Sequence, residues 1–494
     1  MVTVATRDGK LLGAKDGTIA VFKGIPYAAP PIGPNRFLPP QPVKAWGGLR
    51  DAHSYGPTAP TGPYPSPLDK LVPEVDIPGD DYLNLNIWTP NPAGRLPVMV
   101  WLHGGAFTNG SGSVPLYDGS RFARDGVVFV TVNYRLGVDG FLHLGPGDVA
   151  NLGLLDQLAA MRWVQENITA FGGDPGKVTV VGESAGAMSI GALLAAPRAA
   201  GLFRRAVLQS GAAHHTFSPD TARALGHHLA DLLGIPPTRE AFADVPFDQL
   251  SRSAEELRVA VAANPDPARW GEAAVNLMPF EPVVDGELLP LPPIHAIAAG
   301  ASRDVDVLIG TNSDEFRLFL VPTGLLDALG DPHLRAAAAG YGLDPDEAVA
   351  AYLEEDAKAS PGEMLSALST DWYYRLPAIR LAEARARHGG ATYMYEFGWR
   401  PTSFDGRIGA CHTAEIPFVF DNLDDPALLP LLGTALPQKL ADAMHGAWVA
   451  FATDGNPGWA QYDSIDRTTM HFDTSSQTRT DPRANQRALW DGHR

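Results

Sequence analysis

Five apolar, β-rich runs, each closing on glycine, asparagine or a short polar residue, most constrain what this 494-residue chain can fold into. They are PVMVWLHGG (97–105), GVVFVTVNY (126–134), KVTVVGES (177–184), RRAVLQSG (204–211) and VDVLIGTN (305–312). Runs this apolar suit strands covered on both faces, and strands so covered are characteristically parallel, because the crossover helices supply the cover. Helix-forming stretches at 152–168 and 185–196 alternate with them, so the expected architecture is α/β, a doubly wound and mostly parallel sheet. In such sheets ligands bind beyond the carboxyl ends of the strands, where His103 to Gly105, Ser184, Ser210 and Asn312 to Glu315 all fall.

The remaining segments read as additions to that sheet within a single domain spanning 1–494. Residues 57–78 hold seven prolines, too many for a helix or a central strand, which predicts an irregular surface loop over about 53–81. Alanine- and leucine-rich stretches with interspersed charges predict amphipathic helical insertions over about 212–300 and 320–390, capping that carboxyl-end edge of the sheet. No apolar run approaches the roughly 18 residues that cross a bilayer. The opening MVTVATRDGKLLGAKDG lacks the basic start and apolar segment of a secretory signal, so a cytoplasmic location is expected. A single cysteine, Cys411, excludes internal disulfides, and a formal charge of −18 argues against nucleic acid or an anionic membrane as partner. Monomer and homodimer both remain open.

TVVGESAGAMS (179–189) places a serine between two glycines where a strand turns into a helix. The small residues permit a turn that lifts the Ser184 hydroxyl above the sheet and sets the following N–H groups at a helix start, where negative charge is favoured. Acyl transfer through a serine also needs oxyanion donors, a base and a group that orients the base. LHGGAFTNG (102–110) can supply main-chain donors. His412, in GACHTAEIPFVF, stands out among the histidines downstream, and IGTNSDEFRLF offers both Asp314 and Glu315 beyond a strand end. Spacing alone does not choose between the two carboxylates. No step of this chemistry calls for a metal or cofactor.

The chain resembles the type-B carboxylesterases, the cholinesterase and para-nitrobenzyl esterase relatives of the α/β-hydrolase fold. The resemblance runs through FKGIPYAAPPIGPNRFLPPQP (22–42), DYLNLNIWTP (81–90), VNYRLGVDGFL (132–142), NLGLLDQLAAMRWVQENITAFGGDP (151–175) and LFRRAVLQSG (202–211), in family order. It implies Ser184 as nucleophile, Glu315 as acid, His412 as base, and Gly105, Ala106 and Ala185 as oxyanion donors. It further implies that Glu183 and Ser210 support the triad, that Arg36 pairs with Asp80 and Arg135 with Asp156, and that Met278, Leu318 and Phe319 lie at or near the acyl pocket. Tyr82 stands where many members carry a disulfide cysteine or its partner, and Phe316 where glycine usually follows the acid. No tryptophan occurs between Trp46 and Trp88, where cholinesterases keep their choline-binding indole. The expected substrate is a small soluble ester of short to medium chain. A lipase acting on longer lipid esters and a non-catalytic, neuroligin-like binding protein are the alternatives.

Overall fold

Alternation along the central strands shows why they are apolar without interruption. The structure is a computed structural model that describes residues 1–493. Its strands are β1 (Val2–Ala5), β2 (Lys10–Asp16), β3 (Ile19–Pro26), β4 (Leu49–Asp51), β5 (Asn84–Thr89), β6 (Leu96–Leu102), β7 (Val128–Val132), β8 (Gly173–Glu183), β9 (Arg205–Gln209), β10 (Asp306–Asn312), β11 (Thr392–Phe397), β12 (Thr469–Phe472) and β13 (Gln477–Arg479). On β6, Val98, Val100 and Leu102 pack into one core cluster, whereas Met99 and Trp101 pack into another. Strands β9 and β10 repeat the pattern: Ala206, Leu208, Val307 and Ile309 face the first cluster, Val207 and Leu308 the second. Side chains alternate across a strand, so cover on both faces demands apolar residues at both parities.

The sheet runs β1-β2-β3-β5-β7-β6-β8-β9-β10-β11-β12-β13, with β4 beside β2. From β7 to β12 every neighbouring pair is parallel, and antiparallel pairs occupy both margins. The expected doubly wound, mostly parallel sheet is therefore what the chain forms. Helices Leu152–Asn167 and Ala185–Ala195 cover one face through Leu154, Leu158, Ile190 and Leu193. Helix Gln438–Asp454 covers the other through Met444, Trp448 and Phe451. Burying each such side chain contributes about 1.5–3 kcal/mol. The outer strands escaped the reading of apolar runs for two reasons: β1, β2, β4 and β13 are only partly covered, and β3, β5, β11 and β12, though largely buried, carry polar residues such as Lys23, Asn84, Asn86, Glu396 and His471.

Between β9 and β10 lie Pro219–Leu233, Phe247–Ala263 and four shorter helices; between β10 and β11 lie Asp331–Gly340, Pro345–Glu355, Pro361–Thr370 and Leu376–Ala386 among others. The first begins where the Ser218 hydroxyl accepts from Thr221 N–H and ends at Gly234 in the left-handed conformation. The proline-rich stretch carries only one 3-10 turn, Leu68–Lys70. Among the described residues no helix is long and apolar enough to cross a membrane.

Two arginines tie segments to this frame. Arg135 and Asp156 form a fully buried bidentate pair, Nε to Oδ2 at 2.7 Å and Nη2 to Oδ1 at 2.8 Å, as the resemblance implied. Arg36 departs from expectation: its partner is Asp139, at 2.8 Å, and its Nη1 donates to the carbonyls of Ala243 and Val245. Asp80 is exposed, whereas Asp139 is buried on the short helix Gly137–Phe141. A carboxylate with little water around it gains more from a guanidinium than one that keeps its hydration.

Candidate active site

Strand β8 ends at Glu183, and Ser184 adopts φ 54° and ψ −124° before the helix Ala185–Ala195 begins. A non-glycine residue at positive φ stores on the order of 1–3 kcal/mol of strain, held here by the surrounding packing. Ser184 N–H donates to the Gln209 carbonyl on the neighbouring strand at 2.9 Å. Gly186 is required: a Cβ there would sit 2.0 Å from the Leu102 carbonyl oxygen. The result is a serine at 9% exposure directly above the carboxyl end of the sheet.

The segment after β6 crosses beside it. Gly105 has φ 116°, and a Cβ there would lie 2.1 Å from the Asn109 carbonyl oxygen; Ala106 and Phe107 also have positive φ. A Cβ on Gly104 would come within 3.0 Å of the Ser184 Cβ, which measures how closely this backbone approaches the serine. Tyr134 braces the segment by donating its hydroxyl to the His103 carbonyl at 2.7 Å. Ala185 is the first residue of its helix, where N–H groups lack an intrahelical acceptor. Gly105 and Ala106, in the segment that passes the serine, and Ala185, next to it in the chain, are the residues expected to offer main-chain donors.

His412 arrives from a loop 97 residues after Glu315, and its Nδ1 donates to Glu315 Oε2 at 2.7 Å. The Glu315 carboxylate is fully buried, and its other oxygen accepts from Asn312 N–H at 2.8 Å. Asp314 points the other way, accepting from Ala410 N–H at 3.1 Å and facing Arg317 and Arg400. Geometry therefore separates the two carboxylates that spacing left open. Ser210, expected beside the acid, has a buried hydroxyl with no hydrogen bond among the described residues, and Asn312 does the holding instead.

The imidazole Nε2 faces Glu183 Oε1 at 3.2 Å rather than the Ser184 hydroxyl. Resting enzymes often tighten such catalytic bonds only when substrate binds. Burial pushes the Glu183 carboxyl up to about 8, against the pull of His412 and with help from Glu415 and Glu315. Burial works to lower the imidazole, but Glu183 and Glu315 outweigh it and hold His412 up at about 9. The two groups titrate as a coupled pair. Glu415 joins them: its carboxylate accepts from Asn312 Nδ2 at 2.7 Å and Gln209 Nε2 at 3.1 Å, and burial raises it as well. Its signal was present in the H-x-x-E segment, where only the histidine was singled out.

A wall of rings closes the site beside the imidazole. Tyr374 lies 4.7 Å from His412 and Phe319 5.8 Å, with Phe316 and Tyr373 behind them. Tyr374 comes from a π-helical turn, Asp371–Arg375, pinned by a buried Asp371–Arg375 pair and the Tyr352 hydroxyl. Nothing in the local sequence announces that extra residue in the helix. Of the three residues expected at the acyl pocket, Phe319 alone contacts the imidazole. Leu318 is taken up by the core cluster around Trp101 and Phe420, and Met278 is half-buried at the margin of the other cluster. Cys411, next to the base, is fully buried, and burial drives its thiol well above the ordinary range.

The chain is similar to known esterases over nearly its whole length. The model of the carboxylesterase family matches residues 1–490. The para-nitrobenzyl esterase of Bacillus subtilis is 39% identical over 98% of this chain and 97% of its own, and the phenmedipham hydrolase of Pseudarthrobacter oxydans is 36% identical over 92% and 90%. Among solved structures, the Geobacillus stearothermophilus carboxylesterase EST55 superposes with a TM-score of 0.85 at 38% identity, covering 99% of both chains.

Proposed function

The chain belongs to the carboxylesterase family and is a carboxylic ester hydrolase, and from that premise we propose that Ser184, His412 and Glu315 carry the reaction through an acyl-enzyme. Ser184 Oγ attacks the ester carbonyl while His412 Nε2 takes its proton, and Glu315 holds the Nδ1–H tautomer and stabilises the imidazolium. Main-chain N–H groups of Gly105, Ala106 and Ala185 receive the oxyanion. His412 then returns the proton to the departing alkoxide, and a water activated by the same nitrogen releases the acid. The 2.7 Å bond between Glu315 and His412, set beside a strained serine, carries the reading.

The preferred substrates are soluble esters of short to medium acyl chain. The rings of Phe319 and Tyr374 against the imidazole limit the apolar wall available to a longer chain. Each methylene that finds such wall contributes about 0.8 kcal/mol, roughly a fourfold gain in rate, and those beyond it contribute nothing. With p-nitrophenyl esters of increasing length, kcat/KM is expected to climb from acetate and then level off or fall. No jump should appear when substrate passes its solubility limit. Faster hydrolysis of emulsified long-chain triglyceride than of a butyrate ester contradicts this and favours a lipase.

A general base must be neutral to accept a proton. Because Glu183 and Glu315 hold His412 up at about 9, the ascending limb of kcat/KM should inflect above the ordinary imidazole value of about 6.5. Glu183→Gln removes a carboxylate that favours the imidazolium, so its limb should move to lower pH. An unmoved limb in that variant refutes the coupling between the two side chains.

A further inference from the structure

The proline-rich segment delivers a side chain to which the triad gives no task. Tyr64 is half-buried between exposed Pro63 and Pro65, with its hydroxyl directed inward. That oxygen lies 3.1 Å from the point a Cβ on Gly105 would occupy. Among the described residues it makes no hydrogen bond. Burial, then the charges of Glu74 and Glu183, raise its pKa, so the phenol keeps its proton and remains a donor.

The segment is fastened where this ring enters. Asn109, at the end of the oxyanion segment, donates from Nδ2 to the Gly62 carbonyl at 2.6 Å and to Glu74 Oε1 at 2.9 Å. Thr61 donates to the same carboxylate oxygen at 3.3 Å, and Ile77 N–H donates to the Thr58 hydroxyl at 3.0 Å. Both limbs of the loop are thereby tied, through Gly62 and Glu74, to the side chain of Asn109 in the segment that passes the serine. Such ties hold Tyr64 in place without the disulfide that this chain lacks.

Chemistry then says which half of the ester Tyr64 meets. His412 Nε2 must hand its proton to the leaving alkoxide, so the alcohol half of the substrate lies beside Nε2. Glu183 Oε1 is 3.2 Å from that nitrogen; the other Glu183 oxygen lies 2.6 Å from the point a Cβ on Gly104 would occupy, one residue before Gly105, whose corresponding point the Tyr64 hydroxyl approaches. We propose that Tyr64 contacts substrate directly, its hydroxyl donating a hydrogen bond to an acceptor oxygen on the alcohol half of the bound ester. The proposal rests on the Ser184–His412 reading above. It makes the enzyme selective for alcohol groups carrying an ether, carbonyl or nitro oxygen over hydrocarbon alcohols of equal length.

The test uses two butyrate esters of matched shape, 2-methoxyethyl butyrate and n-butyl butyrate, with each kcat/KM divided by the alkaline hydrolysis rate of the same ester. A neutral hydrogen bond is worth about 0.5–1.5 kcal/mol net, so the wild type should favour the methoxyethyl ester by about 2- to 10-fold. Tyr64→Phe, which keeps the ring and its packing, should abolish that preference by slowing the methoxyethyl ester while n-butyl butyrate is unchanged. A preference absent from the wild type, a preference that survives in Tyr64→Phe, or an equal loss on both esters each overturns the proposal. Ser184→Ala, assayed beside them, separates the two levels: turnover persisting there rejects the nucleophile assignment, whatever Tyr64→Phe does.

Discussion

Ser184→Ala lowers ester turnover on the order of 10⁴-fold or more while the protein keeps its fold. The magnitude follows from how triad members act: each is useless without the others, so losing the nucleophile removes the whole covalent route and leaves only binding and oxyanion donation. The fold survives because nothing structural depends on the hydroxyl. Ser184 is held through its backbone, by the Gln209 carbonyl on one side and the helix start on the other, and alanine keeps the same Cβ at the same φ of 54°. Steady-state rates with p-nitrophenyl butyrate, read beside circular dichroism and thermal melting, check both halves. Near wild-type rates in a folded variant refute the assignment.

Glu315→Gln is expected to cost about 10³- to 10⁴-fold in kcat, and Asp314→Asn far less. Glutamine keeps the size and the buried position, yet it can turn an N–H₂ group toward an imidazole nitrogen that must itself donate. The wrong tautomer then faces the serine. Asp314 holds Ala410 N–H, two residues before the base, and shares two arginines at the surface. Its neutralisation loosens the loop without changing the proton on His412. Measuring the two variants side by side isolates orientation of the base from general disturbance of its loop. Equal losses contradict the assignment of Glu315.

Much of the site was visible in the order of residues, though unevenly. The strand, tight turn and helix around Ser184 are local events, set by steric limits over about ten residues, and they appear in the structure with the helix beginning at Ala185 as the pattern suggested. The choice of acid was not local. Asp314 and Glu315 are neighbours with the same charge, and only the path of a loop returning from 97 positions later makes one of them a partner of His412. Resemblance to a family pointed to Glu315 because that path is shared among relatives. The same resemblance misled over Arg36, where the burial of Asp139 outweighed the family pairing with Asp80.

What the amino-acid order determined by itself is the class of sheet, the place of its catalytic edge and the serine that stands on it. Apolar residues at both parities of a strand admit only a strand covered twice, and small residues flanking a serine admit the sharp turn. Tertiary structure alone decided which side chains meet: Glu183 against His412 Nε2, Glu415 behind Asn312, Tyr374 turned onto the imidazole by a π-helical turn, and Tyr64 brought in by a tied loop. The physical reason is range. Backbone sterics and hydrophobic periodicity act between near neighbours in the chain and can be read along it. Electrostatic and ring contacts depend on through-space distance and on the water excluded around them, and those exist only once distant segments have packed together.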